Sequence, residues 1–229
     1  MSSSTLHILA MLFMLVDHIG AILFPQYVVL RCIGRLAYPI YAFMIVQGVK
    51  HTRNIKNYVL RMLFFALIAE IPFDLMLRNT IYNPLSQNVL WTFVISIICI
   101  CILEYLKDED IYYYLALPLV CFLGYMVANV LKTDYMGAGV LMVLIFYVFD
   151  DHTFISAFMQ FVLLYIVNGR LMKSFLIPLL GTWMPIQTLA VLSLLLVWLY
   201  NGKKGIKSRV FQYFCYAFYP LHMVLLWLI

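Results

Sequence analysis

The chain has 229 residues, 66% of them hydrophobic and 11% charged, with a mean hydropathy of +0.98. That much apolar surface excludes an ordinary water-soluble globular domain. The net charge of +5 comes from basic clusters between apolar runs, which point to membrane topology and anionic lipid rather than to nucleic acid as a partner.

Bilayer-length apolar runs recur from end to end. They predict an all-α, polytopic transmembrane helical bundle, because hydrocarbon leaves backbone amides no partner but the chain itself and the runs are too long for barrel strands. About nine spans are expected from the length a bilayer demands, at residues 6–24, 28–49, 57–77, 89–106, 111–131, 136–149, 154–168, 185–200 and 210–228. All belong to one integral membrane domain, 1–229, with no visible linker or internal repeat. The opening MSSSTLH has no basic region and no small-residue cleavage site, so the first run reads as a retained helix. The sixth and seventh runs are short. Between the seventh and eighth, NGRLMKSFLIPLLGTWMP carries Gly and Pro at intervals and is expected to lie in the interface or re-enter.

Orientation follows the Lys and Arg distribution. One segment holds Lys50, Arg53, Lys56 and Arg61, and another holds Lys203, Lys204, Lys207 and Arg209, together eight of the fifteen basic residues. Nine spans put both on the cytoplasmic side, with the N-terminus cytoplasmic and the C-terminus outside. The five cysteines (Cys32, Cys99, Cys101, Cys121 and Cys215) all lie in apolar runs without metal or redox spacing, so no metal is expected.

Ionisable residues within spans are costly and mark function or paired scaffolding. Asp17 and His18 are adjacent in the first run. Arg31 and Arg35 share a face of the second, and Glu70 and Asp74 share a face of the third. The two arginines are expected to face those two carboxylates. Asn88, Asp134, Tyr219 and His222 fall at the same outward depth in this topology. His18 is open to three roles: general base, proton relay or hydrogen-bonded core group. Asp17 projects about 100° away from it, so a group on another helix is the expected partner of its ring. The charged set Arg31, Arg35, Glu70 and Asp74 reads first as a scaffold that fixes helix register and orients a site, and second as catalytic. His7, His51 and His152 read as interfacial or loop-borne.

The motifs DHIG, GRLAYPI, TRN and IPFDL in the first 75 or so residues, followed by QNVLWT, DYMGAG, YNGKKG and a terminal YPLH, resemble the TraX family. These are integral membrane proteins associated with N-terminal acetylation of F-type conjugative pilin. The resemblance implies an acyltransferase of a bacterial plasma membrane that uses acetyl-CoA as co-substrate. Its acceptor would be a peptide, glycan or small molecule, reached from the outer side. The sites that then follow are His18, Asp17 and His222 for catalysis, with Arg31, Arg35, Glu70, Asp74, Asn88, Asp134 and Tyr219 as the oxyanion and charge network. Lys50, Thr52, Arg53, Asn54, Arg61, Lys203 and Lys204 would hold the donor's phosphates. Two other classes stay open: a proton-coupled transporter and a non-catalytic membrane assembly factor.

Overall fold

Side-chain caps start half of the α-helices where polar residues meet the apolar runs. In the computed structural model, which describes residues 1–151, 153–172, 174–179 and 181–229, α1 spans Ser3–Ile22 and begins where the Ser2 hydroxyl accepts the Thr5 N–H at 3.3 Å. The second run is broken into α2 (Val28–Gly34) and α3 (Ala37–His51) by a turn at Arg35 and Leu36. Asn54 caps α4 (Ile55–Arg78), and Asn79, left-handed at φ 55°, ends it. Asn88 caps α5 (Val89–Tyr105), and α6 (Asp110–Val130) and α7 (Met136–Val148) follow. Thr153 caps α8 (Phe154–Ile166), whose last turn widens into a π-helical turn at Val167–Leu171. An antiparallel ribbon of β1 (Leu176–Leu179) and β2 (Thr182–Pro185) comes next, then a 3-10 helix at Ile186–Ser193, the short α9 (Leu194–Val197) and α10 (Arg209–Leu228).

The protein is all-α apart from that ribbon, which the expectation of an irregular interfacial stretch did not include. Among the described residues four helices are long and apolar enough to cross a membrane: Ser3–Ile22, Val28–His51, Ile111–Val130 and Phe154–Leu171. The others fall short for distinct reasons. α4 carries Lys56, Arg61, Glu70, Asp74 and Arg78. α7 has only 13 residues, about 20 Å of helix against a hydrocarbon core of about 30 Å. The expected span at 185–200 is a 3-10 helix followed by a single α-helical turn.

The core lies around α3 and α7. α3 is buried without interruption from Tyr38 to Ile40 and from Ala42 to Val46, and α7 from Gly137 to Val140 and from Met142 to Tyr147. Helices apolar all round belong inside a bundle. α6 is the reverse: Tyr112, Leu115, Leu119, Phe122 and Leu123 stand exposed along it, an uncovered apolar face.

The YNGKKG segment seats the N-terminus of α1. Ser3 and Ser4 donate their N–H groups to the carbonyls of Lys203 (2.8 Å) and Lys204 (3.1 Å), and Ile206 donates to the Ser4 hydroxyl at 2.8 Å. Orphan donors of the first helical turn are thereby satisfied. Gly205 is left-handed (φ 78°), and a Cβ there would come within 2.5 Å of the Ser2 hydroxyl, so the seat requires glycine.

Candidate functional site

Asp17 projects from α1 onto α2, where one helical turn separates Arg31 from Arg35. Arg31 Nη1 donates to Asp17 Oδ2 at 2.6 Å and to its backbone carbonyl at 3.0 Å, while Arg35 Nη2 donates to Asp17 Oδ1. Gly34 makes the approach possible, since a Cβ there would sit 2.1 Å from Asp17 Oδ1. The expected pairing of both arginines with Glu70 and Asp74 is therefore corrected. The tight α1–α2 hairpin brings Asp17 to the arginines first, so one carboxylate is shared by two guanidiniums, with the Asp134 carboxyl at the same end of the cavity.

The two arginines are not equivalent. Arg35 uses Nε on the Arg31 carbonyl (3.2 Å), Nη1 on Gln187 Oε1 (3.1 Å) and Nη2 on Asp17, so every nitrogen of its fork is engaged. Arg31 engages Nη1 alone, and its Nε and Nη2 have no hydrogen-bond partner among the described residues. Arg31 is thus the arginine with donors left for a ligand.

His18 finds its partner on α10. Its Nδ1 lies 2.7 Å from His222 Nε2, and His222 Nδ1 lies 2.8 Å from the Phe218 carbonyl. The rings are within 9° of parallel with centroids 4.9 Å apart, an edge-to-edge arrangement. A carbonyl only accepts, so His222 Nδ1 carries its proton. In a neutral His222 the Nε2 then accepts, His18 Nδ1 donates, and the lone pair of His18 is left on Nε2. His18 lines the main cavity, whereas His222 is 3% exposed and sits behind it.

That cavity, of about 600 Å³, runs the length of the site. At one end it is lined by Asp17, His18, Arg31, Arg35, Asp134, Tyr135 and Tyr219. Its middle is Met11, Met14, Tyr41, Met44 and Met62. At the other end stand Ser4, His7, Thr52, Tyr58, Arg61 and Lys204. Both basic segments therefore flank the end opposite His18. Arg61 lies 5.9 Å over the Tyr58 ring, its Nε is buried without a partner, and neither Arg61 nor Lys204 has an acidic partner among the described residues.

The remaining candidates separate from this cavity. Lys50 is ion-paired with Asp150, Asn54 caps α4, and neither they nor Arg53 and Lys203 are among the residues that line it. Glu70 Oε2 accepts from Asn88 Nδ2, from the Asn88 N–H at 3.4 Å and from Trp91 Nε1 at 3.0 Å. Asp74 Oδ2 accepts the Asn83 N–H at 2.6 Å, and its Oδ1 faces Arg78 at 3.5 Å. Glu70, Asp74 and Asn88 do not line the cavity and hold α4 to α5 and its leading loop. Asp134, in the α6–α7 connection, accepts the Tyr135 N–H at 3.0 Å, and burial pushes its carboxyl up to about 6 against the pull of that bond. His51 and His7 line the basic end, and His152 lies outside the described residues.

The sequence reading missed Gln187 and Asn168, lone amides in apolar runs, and the aromatic wall of Tyr38 stacked at 3.9 Å on Tyr135. A polar side chain without charge in an apolar run is the signal they share.

The family model described as TraX protein matches residues 2–229. A probable fimbrial assembly protein FimC, serogroup H1, of Dichelobacter nodosus is 34% identical over 113 residues, which cover 44% of this chain and 46% of that protein. The match thus spans about half the length of this relative. No solved structure matches the chain.

Proposed function

This chain belongs to the TraX family, and on that premise we propose that it is a multi-pass acetyltransferase of a bacterial plasma membrane. It moves an acetyl group from cytoplasmic acetyl-CoA to an acceptor amine or hydroxyl that arrives from the outer side. A fimbrial or pilin-type subunit fits the similarity to a fimbrial assembly protein, and other secreted or membrane substrates have the same chemistry. In this reading the helices form about nine crossings, the shorter ones enclosed by their neighbours, with the N-terminus cytoplasmic.

The observation that carries the proposal is the continuous cavity between Arg61 and Lys204 at one end and His18 and Arg31 at the other. Arg61, Lys204 and Thr52 would hold the donor's phosphates, and the thioester would lie along the methionine-lined middle. His18 Nε2 takes the proton from the acceptor as its nitrogen or oxygen attacks the thioester carbon. Arg31, with Nε and Nη2 available, faces the oxyanion. The carbon–sulfur bond breaks, the acetyl group leaves on the acceptor, and the proton on His18 passes to the thiolate. His222 fixes the His18 tautomer through the Phe218 carbonyl.

Radiolabelled acetyl-CoA binding and turnover by protein in nanodiscs test this, wild type beside His18→Ala. Saturable binding in both, with turnover lowered about 10²- to 10⁴-fold in the variant, is the expected result. Absence of saturable binding by folded wild type would remove the donor and bring the transporter or escort reading forward.

A further inference from the structure

Behind Arg35 runs a chain of side-chain amides. Gln187 Oε1 accepts from Arg35 Nη1 at 3.1 Å, Gln187 Nε2 donates to Asn168 Oδ1 at 3.2 Å, and Asn168 Nδ2 donates to the Leu164 carbonyl at 2.8 Å. Gln187 is 1% and Asn168 0% exposed. Neither is among the residues that line the cavity, so neither is placed to touch a substrate there. Their location is unusual. Asn168 sits in the π-helical turn of Val167–Leu171, and Gln187 opens the 3-10 helix of Ile186–Ser193, on either side of the β-ribbon. Both elements depart from α-helical geometry where the chain supplies an amide to the other. Irregular turns of this kind recur at functional sites.

We infer that Gln187, braced by Asn168, is a positioning residue that fixes the Arg35 guanidinium and, through Arg35, the Asp17 carboxylate that orients Arg31. The order of contacts requires it. Asp17 is held between two arginines, and without Gln187 the Arg35 fork would keep the Arg31 carbonyl and Asp17 but lose its third anchor, at Nη1. Gln187 supplies a neutral acceptor in the one direction that Asp17 and the Arg31 carbonyl leave open. A carboxylate there would compete with Asp17 for the charge, whereas an amide steers Arg35 without neutralising it, and its own N–H is satisfied by Asn168. The unengaged Nε and Nη2 of Arg31 are thus kept at the cavity. As a statement about turnover this rests on the acyl-transfer reading. As a statement about position it does not.

Gln187→Met keeps the length and removes both hydrogen bonds, and Gln187→Glu restores only the acceptor toward Arg35. In nanodiscs, Gln187→Met is expected to lower acetyl-CoA turnover about tenfold, the usual size for a group that orients an active residue. Its donor affinity stays within about twofold of wild type, because the donor's phosphates lie at the far end. Gln187→Glu recovers part of the turnover. In a thermal cycle of Gln187→Met with Arg35→Lys, the double variant shifts the melting temperature by less than the sum of the singles, because both remove one contact. Additive melting shifts, or wild-type turnover in Gln187→Met, would overturn the inference. So would a fall in affinity and turnover together with melting temperature and no rescue by Gln187→Glu. Absence of donor binding in wild type would sink the proposed reaction, and the thermal cycle would then decide the positioning role alone.

Discussion

Asp17 and Glu70 are both buried in this bundle, and their surroundings are opposite. Asp17 lies between two guanidiniums at the edge of a cavity, while Glu70 is wrapped by an asparagine amide, an N–H and an indole in a cluster that does not line that cavity. Both solve the problem of a carboxylate in an apolar interior. Asp17 does so with charge and leaves donors of Arg31 unused at the cavity. Glu70 does so with neutral donors that also tie the start of α5 to α4, since Asn88 Nδ2 reaches the Ala66 carbonyl at 2.7 Å as well. A buried acid is therefore a poor pointer to chemistry by itself. The pointer is a buried acid whose partners keep unused donors facing an open space.

The contrast is tested most strongly by Asp17→Asn. It leaves Arg31 and Arg35 close together without their shared anion, and removing one partner of a buried pair costs about 3–5 kcal/mol. The expected outcome is a large drop in thermal stability in nanodiscs, with turnover lost in whatever protein remains folded. Rescue by Asp17→Glu is partial at best, because Gly34 leaves room sized for the shorter acid. Wild-type stability in Asp17→Asn would show that the arginine pair does not depend on this carboxylate.

Asp134 gives a smaller and pH-dependent effect. Burial raises its carboxyl to about 6, above the ordinary value of about 3.9, so its native-state preference is for the protonated form. The stability that this protonation contributes is fully present below about pH 4 and is lost as the pH rises through about 6. Asp134→Asn keeps a neutral acceptor for the Tyr135 N–H. The variant is expected to be more stable than wild type at pH 7.5 by on the order of 2 kcal/mol, with the gain shrinking between pH 6 and 4. Thermal midpoints across that range measure it, and a gain that is constant with pH would count against the buried acid.

Much of the fold was legible. The expected run at 57–77 is α4 at Ile55–Arg78, and that at 210–228 is α10 at Arg209–Leu228, because apolar length and polar caps decide where a helix starts and stops. Asp17, His18, Arg31 and Arg35 stood out because charge in apolar sequence is conspicuous. Their pairing did not. Arg31/Arg35 and Glu70/Asp74 have the same four-residue spacing, and spacing within a helix says nothing about which helix is its neighbour. The contact depends on Gly20 and Gly34 letting α1 and α2 approach, which is a property of the packed pair. His18 and His222 are 204 positions apart, beyond the reach of local pattern. Gln187 carries no charge to draw attention, and the ribbon at 176–185 contains Pro178 and Gly181 in an apolar stretch that signals a break without saying which kind.

The smallest expected effect is the one that keeps the two regions distinct. Glu70→Gln retains an oxygen for the three donors now on Oε2 and places an amide where Oε1 has no partner among the described residues. One partnerless buried atom replaces another, so stability is expected to move by no more than about 1 kcal/mol. Turnover should stay within about twofold of wild type, since neither Glu70 nor its hydrogen-bond partners Asn88 and Trp91 line the cavity. Glu70→Ala removes the acceptor altogether and strands three donors, a loss of about 2–3 kcal/mol, because unmet buried donors cost their full desolvation. That loss should appear in the melting temperature and leave donor affinity intact. Measured together, the two variants separate a scaffold from a site. If Glu70→Gln were as inactive as His18→Ala while still folded, proton transfer would have to pass through Glu70, and the division between a sealed acid and an open one would fall.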